Sequence, residues 1–123
     1  MSGRVLRFGD HQLHAERAHD GDGELFTARA VEREPGQLVT FVDLTVVPPG
    51  VSVGRHTHGP DDEELYVVVE GTGVVELDGV TVLVGPGDVV VNPPGGTHAL
   101  RATGDVPLRM VVVDVARPPA TST

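Results

Sequence analysis

The feature that most constrains this chain is a series of short β-branched runs, each ended by turn-forming residues. The runs all follow Gly36, at 38–47, 65–69, 74–77, 80–84, 89–91 and 108–115. Asp78-Gly79, between two of these runs, is typical of a two-residue hairpin turn. Many short strands at such spacing predict an all-β sandwich or barrel. A jelly roll or barrel is favoured because it covers strand edges that would otherwise be exposed.

The domain organisation follows from the length and from the two ends of the chain. A chain of 123 residues suits a single domain, and we expect residues 1–123 to form one, with a barrel core over about 36–116. Residues 1–24 are polar and broken by Gly21 and Gly23, so a peripheral arm is expected there. The tail 117–123 contains two prolines and is expected to be frayed and peripheral.

The charge of the chain excludes several kinds of partner. The formal net charge is −9, and all 9 basic residues are arginines without a basic stripe, which argues against nucleic acid. An acidic surface disfavours anionic membranes, and no apolar run approaches the roughly 20 residues of a membrane span. Residues 1–10 lack the long apolar segment of a secretory signal, so a cytoplasmic location is expected. The absence of lysine and isoleucine suggests a GC-rich bacterial genome.

The histidines and acidic residues could carry metal chemistry. With no cysteine, a metal site must use imidazole, carboxylate, amide or water ligands. His56 and His58 stand two residues apart, so on a strand both rings would reach one ion, although an isolated His-x-His is often only a surface feature. Glu64 begins an apolar strand, but the acidic run around it could equally be a solvated turn. His98 follows a stiff proline- and glycine-rich turn, where a histidine is usually hydrogen-bonded or exposed.

Taken together, these residues match a known pattern. The spacing Gly50-x5-His56-x-His58-x5-Glu64-x6-Gly71 resembles the first cupin motif, and Gly87-x5-Pro93-x-Gly95-x2-His98 resembles the second. Two long motifs in the right order are more specific than one short match. The resemblance to the cupin superfamily, and to its small single-domain members, covers roughly residues 36–116. It implies a double-stranded β-helix, a jelly-roll barrel holding one metal ion with His56, His58, Glu64 and His98.

The sequence departs from the cupin pattern at two places. The loop between His58 and the glutamate is one residue longer than usual, which leaves Glu63 as a rival ligand. We favour Glu64 because its distance to Gly71 runs along a strand, whose register is rigid, whereas loops accept insertions. The second motif commonly ends with an asparagine where this chain has Ala102, which puts a local hydrogen bond in doubt rather than the metal.

The function implied by the resemblance is binding of a small oxygenated metabolite at one divalent transition metal ion. Three imidazoles and a carboxylate suit Mn, Fe, Ni, Co, Cu or Zn. We expect an enzyme of the dioxygenase, isomerase/cyclase or decarboxylase type, because ligands that leave metal positions open are the usual catalytic arrangement. The alternative is a non-catalytic module that binds or senses a small acid through the metal. A homodimer is also expected, since small cupins pair through sheet edges or faces.

Other side chains are weaker candidates. Tyr66 shares the face of Glu64 and could give a substrate a proton or a hydrogen bond, but a core tyrosine capped by a backbone carbonyl is the more frequent arrangement. Asp43 is either an outward residue or a pocket carboxylate, and the outward position is favoured. The remaining histidines lie in the irregular N-terminal segment and are expected at the surface: His11, His14 and His19.

Overall fold

The computed structural model describes residues 2–118, which form ten β-strands and one 3₁₀ turn, Phe8–Asp10. The strands are β1 (His14–Glu16), β2 (Leu25–Glu32), β3 (Phe41–Val47), β4 (Ser52–Thr57), β5 (Asp62–Glu70), β6 (Thr72–Leu77), β7 (Val80–Val84), β8 (Val89–Asn92), β9 (Thr97–Thr103) and β10 (Leu108–Ala116). No helix in this part of the chain is long and apolar enough to cross a membrane.

The strands form two antiparallel sheets. One sheet has six strands in the order β1-β2-β3-β10-β5-β8, and the other has four in the order β4-β9-β6-β7. Alternate residues of the central strands bury apolar side chains in a shared core, among them Met110 and Val68 from the first sheet and Leu100 and Val75 from the second. The prediction of an all-β jelly roll is confirmed.

Each of the six predicted runs overlaps an observed strand, but β4 and β9, which carry His56 and His98, were not among those runs. Strand β7 has its predicted bounds, and β3 begins three residues later than predicted. Strand β2 was not anticipated, although it pairs with β3 and buries Leu25 in the core. Its inward face mixes Leu25 with Thr27 and Arg29, so the strand lacks the alternation of apolar and polar residues that marks a half-buried strand.

Both ends of the chain differ in detail from the arm and tail that the sequence predicts. Strand β1 lies within the predicted arm 1–24 and pairs with β2 at the edge of the six-stranded sheet. In the tail, the Arg117 N–H donates to the Asp61 carbonyl at 2.9 Å. The rest of the tail, residues 119–123, lies outside the described residues, so the predicted fraying there stays a prediction.

Gly71 forms the tight turn that joins β5 to β6. Its φ is +79°, and a Cβ atom there would lie 2.4 Å from the Pro107 carbonyl oxygen. Gly79, in the β6–β7 hairpin, has a similar φ of +86°, but a Cβ atom on it would meet nothing within 4 Å. The two glycines therefore separate the cost of a left-handed backbone from the cost of a steric overlap.

We predict that Gly71→Ala destabilises the metal-free protein by about 3 kcal/mol or more, and Gly79→Ala by about 1–2 kcal/mol. Both variants force a side chain into the left-handed region, but only the first drives a methyl group against fixed backbone. Urea denaturation followed by circular dichroism would measure the difference. Equal losses of stability in the two variants would contradict the close approach at Gly71.

Candidate metal centre

Four side chains from the two sheets converge at one end of the core. His56 lies on β4, His58 follows the end of that strand, Glu64 lies on β5, and His98 lies on β9. Each residue offers one ligand atom, and the four atoms lie within 4.8 Å of one another. The structure thus brings together the four residues that the motifs single out.

The distances between the donor atoms are short. The Nε2 atoms of His58 and His98 are 2.7 Å apart. The Oε1 atom of Glu64 is 3.6 Å from Nε2 of His58 and 3.8 Å from Nε2 of His98. The exposed fraction of the side chain is 7% for His58, 2% for His98 and 13% for Glu64. The donor atoms therefore meet in a site that is largely removed from water.

Hydrogen bonds on the far side of two imidazole rings orient their nitrogen atoms. Nδ1 of His56 donates to the Gly54 carbonyl at 2.8 Å, since a carbonyl oxygen can only accept. Nδ1 of His58 donates to a carboxylate oxygen of Asp62, also at 2.8 Å. When these rings are neutral, the Nε2 atom of each keeps its lone pair, as a metal ligand requires.

Burial favours the neutral form of two of the imidazoles. Desolvation, followed by the charges of neighbouring histidines, lowers the pKa of His98 to about 3. The pKa of His56 is also lowered, mainly by burial. Burial raises the pKa of the Glu64 carboxyl, although the Tyr66 hydroxyl opposes that shift. Near neutral pH the two rings are therefore unprotonated and able to bind a cation, which needs neutral histidine.

A pair of aspartates supports His58 from behind. Burial, followed by hydrogen bonding with Asp62, raises the pKa of Asp114 to about 7. The pKa of Asp62 is lowered, because hydrogen bonds with Asp114 and His58 outweigh its burial. As the pH falls through about 7, Asp114 takes up a proton, while the lowered pKa of Asp62 favours the ionised form that accepts the imidazole N–H. Such an outer carboxylate raises the basicity of a histidine ligand.

The donor set fits a divalent cation. Two imidazole Nε2 atoms at 2.7 Å would repel each other through their lone pairs unless a proton or a cation lay between them. Three imidazoles with one carboxylate form a donor set that suits borderline first-row divalent ions. The same residues could therefore hold the ion that the sequence predicts.

The rival glutamates lie on opposite faces of β5. Glu64 points between the sheets, as do Tyr66 and Val68, whereas Glu63 lies in an outer groove beside Asp61 and Val115. The structure places Glu64, and not Glu63, beside the histidines. Strand β5 begins at Asp62, two residues before Glu64, so the loop that follows His58 is confined to residues 59–61.

Tyr66 lies behind the candidate site. It is 3% exposed, and its ring meets the ring of His98 edge-on at a centroid distance of 5.6 Å. Burial raises the pKa of its phenol well above the ordinary value, and the charge of Glu64 adds to the shift. The hydroxyl stays protonated and can act only as a hydrogen-bond donor or acceptor over the ordinary pH range.

A cavity of about 180 Å³ opens from the site along the inner face of the six-stranded sheet. Its walls include Arg29 and Asp43, whose side chains form two hydrogen bonds of 2.9 and 3.2 Å. The expectation that Asp43 points outward is wrong. The pairing partner Arg29 lies on β2, the strand that the sequence pattern did not reveal, and it neutralises a carboxylate on the inner face.

His19 was expected to be a plain surface residue, and the structure gives it a place at the site. Its side chain is exposed, but its ring stacks on the ring of His56 at a centroid distance of 3.5 Å and an interplanar angle of 7°. It also lines the cavity. The sequence contains only a weak indication of this position. Gly54 lies inside a strand and Gly21 lies in the arm, and a glycine inside a strand often marks a place where another backbone approaches closely. His14, by contrast, lies exposed on β1.

Comparisons with known proteins agree with this geometry. A family model described as Cupin domain matches residues 43–114. The chain is 32% identical over 108 residues to the 5-nitrosalicylic acid 1,2-dioxygenase of a Bradyrhizobium species, covering 85% of this chain and 50% of that protein. It is 36% identical over 95 residues to the oxalate-binding protein of Thermotoga maritima, covering 76% of this chain and 77% of that protein. The chain thus spans half the length of the dioxygenase.

A solved structure shares the fold along its whole length. The crystal structure of a predicted oxalate decarboxylase from Thermotoga maritima superposes with a TM-score of 0.86 at 27% identity. The alignment covers 93% of this chain and 100% of that one.

We predict that Glu64→Gln weakens the binding of a divalent ion by more than about 100-fold, beyond what the loss of an outer hydrogen-bond partner costs. Glu63→Gln is the matched control, because it removes the same charge one residue away on the opposite face. Calorimetric titration of metal-free protein with Co²⁺ would measure both affinities. Weaker binding in the Glu63 variant alone would overturn the assignment of faces.

Proposed function

Because this chain belongs to the Cupin domain family, we propose that it is a metal-dependent cupin that takes a small oxygenated acid at one divalent ion. His56, His58, Glu64 and His98 would hold the ion. The observation that supports this most directly is the convergence of their four donor atoms beside a cavity that His56 and Glu64 line. The ion itself would be one of Mn, Fe, Ni, Co, Cu or Zn.

The cavity favours a small ligand, and a bound divalent ion would supply the positive charge that attracts an acid. Its volume of about 180 Å³ lies below the roughly 300 Å³ at which pockets for drug-sized molecules begin. Arg29 is the one cation among the residues that line it, and its pKa is raised by the hydrogen bonds to Asp43, so it stays charged. The rest of the wall mixes apolar side chains, among them Leu25 and Met110, with polar ones, among them Thr27 and Thr45.

Within this site the protein's own residues would bind, orient and shield the ligand. A bound divalent ion supplies Lewis acidity, which polarises a chelating oxygen atom. Asp62 keeps His58 oriented, and the buried Tyr66 hydroxyl can donate a hydrogen bond without losing its proton. Apolar side chains exclude water from the inner end of the cavity, among them Val53, Met110 and Val112.

We favour an enzyme, and the alternative is a module that binds a small acid without catalysis. The reaction types consistent with the site are oxidation by dioxygen, isomerisation or cyclisation, and decarboxylation. One relative is named a dioxygenase, which supports the first of these for this chain. Another is named an oxalate-binding protein, which supports the alternative of a module that binds a small acid without turning it over.

We expect the purified protein to hold about one divalent ion per chain, and the ion to be lost from a His56→Ala, His58→Ala double variant, which lacks two of the ligands. Elemental analysis would show this. The Fe²⁺- or Mn²⁺-loaded protein should then bind oxalate, and release a product from oxalate or from a hydroxylated aromatic acid under dioxygen.

Calorimetry and mass spectrometry of the reaction mixture would separate the two functions. Binding without product over many hours would support the binding module instead of the enzyme. Full metal occupancy in the double variant would contradict the site itself.

We also propose that two copies of the chain associate through the outer face of the six-stranded sheet. Two rows of aliphatic side chains cross β10, β5 and β8 on that face, and we name them the aliphatic face: Val111, Val67 and Val89, then Val113, Leu65 and Val91. Val89 and Val91 are more than half exposed in the single chain. In a chain of net charge −9, an uncharged patch of this kind favours pairing with itself.

We predict that the protein sediments at twice its chain mass of 12.9 kDa, and that Val89→Glu shifts it towards monomer because a buried charge opposes association. Val80→Glu is the control, since Val80 is at least as exposed as Val89 but lies on β7 of the other sheet. Analytical ultracentrifugation over a concentration series would measure both. A monomeric wild type, or dissociation caused only by Val80→Glu, would refute this interface.

The remaining interpretations from the sequence stay predictions. They are the single domain over residues 1–123, the cytoplasmic location and the bacterial origin.

A further inference from the structure

The turn that carries His19 is strained. The Gly21 N–H donates to the Ala18 carbonyl at 2.9 Å, which closes a four-residue turn. Its two central residues, His19 and Asp20, have φ values of +49° and +56°. This is the φ pattern of a type I′ turn, in which glycine, asparagine and aspartate dominate, so Asp20 suits its position better than His19 does. Histidine there costs free energy that glycine would not.

The rest of the structure holds this turn against β4. The Gly54 N–H donates to the Ala18 carbonyl at 3.0 Å. A Cβ atom on Gly54 would lie 1.9 Å from the His19 carbonyl oxygen, and one on Gly21 would lie 2.1 Å from the Ser52 carbonyl oxygen. Two glycines on facing segments thus allow the backbones to touch. Because the approach is so close, the position of His19 is determined by backbone contacts.

The ring of His19 is positioned over the candidate metal centre. It stacks on the ring of His56 at 3.5 Å and lines the same cavity as Glu64 and Tyr66. Among residues 2–118, neither ring nitrogen of His19 takes part in a hydrogen bond. It does not belong to the group of four whose ligand atoms lie within 4.8 Å of one another. A polar ring held at a cavity wall without a protein partner is available to a ligand.

We propose that His19 is a ligand-contacting residue, which donates a hydrogen bond to an oxygen atom of the acid bound at the metal centre. The inference rests on the proposed function and adds to it the class of ligand. That ligand is an acid such as a dicarboxylate, with a further anionic oxygen beyond those that chelate the ion. Strained residues persist where the surrounding structure determines them, and they cluster at functional sites. A purely structural turn would gain stability from asparagine or glycine at position 19.

The test uses Co²⁺-loaded protein with oxalate as the probe, because the visible spectrum of Co²⁺ reports on its ligands without any turnover. His19→Phe keeps a ring that can stack on His56 but removes the hydrogen bond, and His19→Asn removes the ring while suiting a positive φ. Both should bind oxalate about tenfold more weakly, as expected for the loss of a hydrogen bond to a charged group. The affinity for Co²⁺ and the spectrum without oxalate should match those of the wild type.

Asp20→Gly is the control, because it relieves the strain of the same turn and leaves the imidazole in place. It should raise the midpoint of unfolding in urea without changing the affinity for oxalate.

Each other outcome contradicts a different statement. Unchanged affinity for oxalate in the Phe variant would refute the hydrogen bond, and an altered Co²⁺ spectrum or affinity in that variant would make His19 a metal ligand instead. If wild-type protein binds Co²⁺ but not millimolar oxalate, the proposed ligand class fails and this inference fails with it. If wild-type protein does not bind Co²⁺, the proposed function itself is wrong.

Discussion

The pairing of β4 with β9 is the constraint on which the candidate site depends. It sets His56 directly opposite His98 in the four-stranded sheet. His58, two residues along, turns to the same side and meets Glu64 from the facing sheet. The β4–β9 ladder shifts register between Val53 and His56, and such irregularities occur next to functional sites because they redirect side chains. Gly54 lies inside this irregular stretch, where it also receives the N-terminal turn.

Placing four polar groups in an apolar interior has an electrostatic cost that the surroundings partly offset. Burial disfavours protonated imidazole, so His98 stays neutral down to a pKa of about 3. Burial also disfavours ionised Glu64. An uncompensated carboxylate in such a place is expensive, and a bound cation would relieve that cost while using the neutral rings as ligands. In the metal-free site the burial of Glu64 is therefore unfavourable, and a bound cation would offset that free energy. Metal binding would then stabilise the folded protein.

The sequence predicted the parts of the fold and site that follow a local period, and it missed the parts set by contacts distant along the chain. Strand β7 could be bounded from its residues alone, because Asp78-Gly79 precedes it and Gly85 follows it. Glu64 was preferred over Glu63 by counting along a strand, and the two side chains lie on opposite faces as that count requires. Neither Asp43 nor His19 could be placed in this way. The first depends on pairing with Arg29, 14 residues away, and the second depends on a backbone approach between residues 18–21 and β4 that has no periodic signature.

The distribution of these residues along the chain separates two roles of the site. All four candidate donors lie within residues 43–114, the segment that the family model matches. The cavity wall draws also on residues before that segment, from the 18–21 turn and β2, including His19 and Arg29. A donor set must keep its residue types to hold an ion, whereas a cavity wall can change with the ligand. Fold and metal site alone therefore do not determine the ligand, and the residues preceding Asp43, which supply seven of the fifteen residues that line the cavity, would contribute to selecting it.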